Sequence, residues 1–159
     1  MAEYGPVSYN DDYFLQEEIA MIQIISGVKG KGKTKFLIQK ANEAVKNVDG
    51  SVVYLDKNIK HMYELNNRIR LINVGDYPID SYDAFLGFVC GLISQDHDLE
   101  EMFLDSFLTI GQIPDDCVGD VLAKLNDISV RYEVNFTVSI SMDADNIPDG
   151  FKKDIVISL

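Results

Sequence analysis

The sequence has no tryptophan, only two cysteines, and no apolar run longer than the ten residues Ala84 to Ile93. Ten residues are too few to cross a bilayer as a helix, so no membrane span is expected. Cys90 and Cys117 stand far from any metal-ligand spacing. Their expected role is small apolar filler in a reducing compartment. There are two histidines, His61 and His97, with no partner at catalytic or metal spacing. There is no basic residue among the first eighteen, so no secretory signal is expected and a cytoplasmic protein is the simplest reading.

Positive charge is scarce and unevenly placed. The net charge is −12. Between Arg70 and Lys124 there are eleven acids and no Lys or Arg. Between Gly27 and Asn42 there are five lysines (29, 31, 33, 35 and 40) and no acids. A nucleic-acid binder needs a broad basic surface, which this pattern argues against. One basic island in an acidic field suits a compact anion.

The island is the stretch Gly27-Val28-Lys29-Gly30-Lys31-Gly32-Lys33-Thr34, which reads G-x-x-x-x-G-K-T. In such a phosphate-binding loop, successive backbone N–H groups point inward around a polyphosphate. Gly27 and Gly32 supply the backbone angles and close approach that a side chain would block. Lys33 is placed for the β- and γ-phosphates, and Thr34 offers its hydroxyl to a Mg²⁺ bridging them. The helix that follows aims its positive dipole end at the same anion. Context agrees. Residues 19–26 are rich in isoleucine, as a buried parallel strand should be, and 33–46 carry a helical apolar stripe of Phe36, Leu37, Ala41, Ala44 and Val45.

Through Gly27, Gly32, Lys33 and Thr34 the chain resembles the P-loop NTPases. It also looks like the small stand-alone ATP-binding P-loop proteins of Firmicutes. That likeness is carried by Ser26–Lys46, Tyr82-Asp83-Ala84-Phe85-Leu86-Gly87-Phe88 and Phe103-Leu104-Asp105, and covers most of 21–159. The resemblance implies an α/β fold, a mostly parallel sheet with helices on both faces, binding ATP with Mg²⁺. It is specific for nucleotide binding and unspecific for what the binding does.

Two units are expected: an acidic arm at 1–18 with aromatic anchors Tyr4, Tyr9, Tyr13 and Phe14, and a P-loop domain at 19–159. Beyond the first strand and helix, strands are expected at 51–56, 70–74, 100–105, 134–141 and 154–159. Helices are expected at 58–67, at 82–94 behind an N-cap Ser81, and at 114–132. Gly87 and Gly91 share a helix face and are expected to pack tightly on a neighbour. Alternating strands and helices give a parallel sheet, whose ligands bind beyond the carboxyl ends of the strands.

A P-loop needs a second acid at a strand end to hold Mg²⁺. Asp105 and Asp56 qualify. Asp56 follows the cleaner apolar run; Asp105 lies where the family resemblance implies the acid, and is preferred. Asp56 could instead position a water or a second substrate. The loop residues Gly27 to Lys35 are the expected nucleotide contacts, with Lys33 and Asp105 as the catalytic pair and Thr34, Asp105 and Asp56 as metal candidates. At least one of Lys29 and Lys31 is expected to face water. Ser139 or Ser141 could sense the γ-phosphate.

Ser106 stands where many P-loop ATPases place a water-orienting glutamate. Hydrolysis should therefore be slow unless an arginine (Arg68, Arg70 or Arg131) or a group from a partner or second copy completes the site. No N-K-x-D pattern for guanine is present, which leaves ATP as the default. Three functions follow: a nucleotide-dependent switch or slow ATPase; a small-molecule kinase of nucleoside type, since 32–38 is somewhat similar to the thymidine-kinase-like branch; or an assembly module that binds nucleotide structurally.

Overall fold

The computed structural model describes residues 20–159. The expected arm at 1–18 and Ile19 lie outside the described residues. Six strands form one all-parallel sheet: β1 Ile22–Ser26, β2 Ser51–Asp56, β3 Ile69–Asn73, β4 Leu99–Leu104, β5 Asn135–Ile140 and β6 Ile155–Ser158. Their order is β3-β2-β4-β5-β1-β6. The helices are α1 Lys33–Asn47, α2 Tyr82–Ser94, the short α3 Phe107–Ile110 and α4 Val118–Tyr132.

Topology distributes the helices. From β1 to β2 and on to β3 the chain steps towards one edge of the sheet. From β3 onward it steps back towards β6. Crossovers in parallel sheets are right-handed, so reversing direction reverses the face. One core accordingly unites α2, α3 and α4 with Ile22, Ile24, Leu55, Met102, Leu104, Phe136 and Val138. The other joins Leu37, Ile38, Ala41 and Val45 of α1 to Ile25, Val52, Tyr54 and Phe103. The four central strands are buried on both faces over most of their length, which is why they read as nearly continuous apolar runs, whereas the edge strands β3 and β6 stay partly exposed. The direction change also opens a crevice between the carboxyl ends of β1 and β5, because their outgoing loops leave to opposite faces.

Strand ends fall within a few residues of expectation, and Ser81 caps α2 by accepting from the Ala84 N–H at 3.1 Å. Three expectations are corrected. Residues 58–67 form turns, not a helix. Asn58 Oδ1 accepts from Lys60 N and Asn66 Oδ1 from Arg68 N, both at 2.9 Å, and such local bonds compete with helical ones. Gly87 and Gly91 face open space: a Cβ added to either meets nothing within 4 Å among the described residues. The 114–132 segment begins as a 3-10 turn at Asp115–Cys117, and α4 starts at Val118. α3 was not expected; four residues are too short to show a helical period.

Beside α1, near the amino ends of β1, β4 and β5, a groove of about 650 Å³ includes Gln23, Phe103, Thr137 and Glu101. It contains no phosphate loop. Burial pushes the Glu101 carboxyl above its ordinary value of 4.5, partly offset by the bond it accepts from Asn135 Nδ2 at 3.2 Å. The folded chain thus holds a proton longer than the unfolded chain does. Stability is lost as pH rises from the ordinary glutamate value through the raised one. Glu101→Gln, which keeps the acceptor and cannot ionise, should melt at a higher temperature than wild type at neutral pH. The gap should close at pH below the ordinary value. A pH series of thermal melts checks this; equal melting at neutral pH contradicts it.

Candidate functional site

The loop between β1 and α1 is built by glycines at three points. Gly30 and Gly32 both have φ of +90°, where a side chain is strained, and Gly32 is the residue that opens α1. Gly27 is needed for space: a Cβ there would stand 3.0 Å from the Leu159 Cβ. Its N–H donates to the Ile140 carbonyl at 3.3 Å, which ties the start of the loop to the end of β5. Lys33 closes the loop on itself, donating from Nζ to the Val28 carbonyl at 3.2 Å.

Register brings distant residues level. Ile25 pairs with Ser139, Leu104 with Val138, and Leu55 with Leu104. Asp105, one residue beyond β4, therefore sits beside the loop with β5 between β4 and β1. Its carboxylate accepts three hydroxyls: Thr34 at 3.2 Å and Ser139 at 2.9 Å on Oδ1, and Tyr54 at 2.7 Å on Oδ2. Ser139 Oγ in turn accepts from the Ser106 N–H at 2.8 Å. Ser106 has φ of 56°, a left-handed conformation uncommon outside glycine, and that bond fixes it at the start of α3.

Electrostatics follow burial. Lys33 is only 8% exposed, and burial pulls its ammonium below the usual lysine range while the Asp105 charge pushes it back. Tyr54 is fully buried and stacked on Phe103, with ring centroids 6.4 Å apart. Burial raises its phenol, and the Asp105 charge and hydrogen bond raise it further, so it remains a donor. Burial and then the Asp105 charge raise the Asp56 carboxyl, against the lowering effect of the Lys57 N–H that donates to Asp56 Oδ1 at 2.7 Å.

These groups surround a cavity of about 500 Å³. Its wall includes Lys29, Gly30, Gly32, Lys33 and Thr34 from the loop side, and Asp105, Ser106, Ser139 and Ser141 from the strand ends. Of the expected residues, Val28, Lys31 and Lys35 are exposed and do not line it; nor do Gly27, which is structural, and Asp56, whose carboxylate is turned onto its own neighbour. None of the three arginines lines it either. His61 instead meets Glu64. Among the described residues no three His, Cys, Asp or Glu side chains cluster as a metal site. Thr34 Oγ1 and Asp105 Oδ1 are nonetheless two hard oxygen donors at one cavity wall. That suits a cation such as Mg²⁺, which takes one or two protein oxygens and completes its shell with phosphate and water.

Two contributors, Tyr54 and Lys57, are not among the residues expected from sequence. Tyr54 lies two residues before Asp56, and strand alternation puts both on one face, a signal that was available. Lys57 also lines the cavity, from the loop after β2, where acids and hydroxyls are the expected site residues. No protein-family model and no curated protein matches the chain.

Proposed function

We propose that this chain is a P-loop nucleotide-binding protein that takes a nucleoside triphosphate with Mg²⁺, ATP by default, and works as a nucleotide-dependent switch or slow hydrolase. The contact between Thr34 and Asp105, 71 residues apart in sequence and 3.2 Å apart in space, carries this reading. It joins the hydroxyl of the phosphate loop to the strand-end carboxylate that a Mg²⁺–triphosphate site requires. The loop N–H groups and Lys33 bind the phosphates; Thr34 and Asp105 hold the metal. The bound Mg²⁺ supplies neutralisation of phosphate charge.

Slow turnover follows from the same geometry. Ser106 N–H is committed to Ser139, no glutamate follows Asp105, and no arginine reaches the cavity. A protein partner or a second copy would supply the missing group. Among the described residues no helix is long and apolar enough to cross a membrane. The test is phosphate release from protein saturated with ATP·Mg²⁺. Release at roughly 10⁻³ per second or slower, the scale of an unassisted P-loop switch, is expected. Turnover of several per second in the isolated chain would overturn the switch reading.

A further inference from the structure

We infer that Lys57 is the residue that distinguishes a nucleoside triphosphate from a diphosphate, by pairing with the terminal phosphate; this rests on the nucleotide-binding reading above. The cavity holds three lysines, Lys29, Lys33 and Lys57, against one carboxylate, Asp105. Lys29 and Lys33 belong to the loop. Lys57 comes from the opposite wall, two residues past Leu55, whose carbonyl accepts the Asp105 N–H at 2.9 Å. The ends of β2 and β4 are thus flush. A cation held by Thr34 and Asp105 would draw the terminal phosphate of a bound triphosphate towards the Asp105 side of the loop, and Lys57 lines that same cavity.

The backbone under Lys57 is fixed at both ends. Its N–H donates to Asp56 Oδ1 at 2.7 Å, and its carbonyl packs on Gly75, where a Cβ would be 3.2 Å away. Asp56 is 3% exposed, so this anchor is buried. Among the described residues Lys57 forms no ion pair. Lys57 is exposed, so its ammonium stands in solvent at the cavity rim, on an anchored backbone and available to an arriving anion. Asp56 is then a positioning residue for Lys57 rather than a metal ligand.

The test is calorimetric titration of the whole chain with the Mg²⁺ complexes of a non-hydrolysable ATP analogue and of ADP, for wild type, Lys57→Gln and Lys57→Arg. Lys57→Gln should weaken the triphosphate roughly ten- to a hundred-fold, the loss expected for one charge-assisted bond, and leave ADP within about two-fold. Lys57→Arg should retain most of the triphosphate preference. A merely structural lysine would move both nucleotides together. If wild type binds both and Lys57→Gln alters neither, or both equally, the inference fails and the nucleotide reading stands. If wild type binds neither, both fall.

Discussion

Lys33→Ala should abolish nucleotide binding and leave the fold intact. The Lys33 ammonium is buried and held by the Val28 carbonyl, so it is already oriented before ligand arrives. Two charge-assisted phosphate contacts are worth about 1.5–3 kcal/mol each. Losing both weakens affinity by roughly two to four orders of magnitude. The fold should tolerate the change. Alanine is the best helix former, position 33 begins α1, and the variant no longer buries a charge. Titration and a thermal melt on one sample check both halves. Undiminished affinity in a folded Lys33→Ala protein would remove the phosphate loop from the account.

Asp105→Asn should lower Mg²⁺-dependent affinity about ten-fold or more, and Asp56→Asn much less. The asymmetry comes from what each carboxylate holds. Asp105 accepts hydroxyls from Thr34, Ser139 and Tyr54. An asparagine offers one oxygen and one donor there. Either Tyr54 or the Thr34–Ser139 pair then faces an N–H₂ in a buried site, a loss of roughly 1–3 kcal/mol. The metal loses a negative ligand at the same time. Asp56 chiefly accepts its neighbour's N–H, and asparagine can do the same. Titration with ATP in Mg²⁺ and in EDTA, for both variants, measures the order. A larger Mg²⁺-dependent loss in Asp56→Asn would move the metal ligand to β2.

Local features were legible in sequence because short-range physics decides them. The glycine loop, the isoleucine-rich strand before it, the stripe of α1 and the Ser81 cap all declared themselves. Strand order did not, because it is set by pairings across the chain. Placing β5 between β1 and β4 is what lets Ser139 reach Asp105, 34 residues away. The Asn58 and Asn66 turns overrode a weak helical pattern through side-chain bonds that composition does not reveal. The spacing of Gly87 and Gly91 suggests a packing face, yet α2 buries Phe85, Leu86, Val89 and Leu92 on the opposite side. In the site, Thr34 is named by the loop motif, and Asp105 by its strand end together with the family resemblance. Tyr54 and Lys57 are not, since one is hidden in an apolar run and the other follows the more conspicuous Asp56.

The most direct measurement is a calorimetric titration of the unmodified protein with ATP, once with Mg²⁺ and once with EDTA. Saturable one-site binding that weakens when Mg²⁺ is removed is the predicted result, because Thr34 and Asp105 stand together at the loop. No heat and no saturation in Mg²⁺ would mean that the loop, for all its geometry, binds no nucleotide, and the proposed function would be wrong.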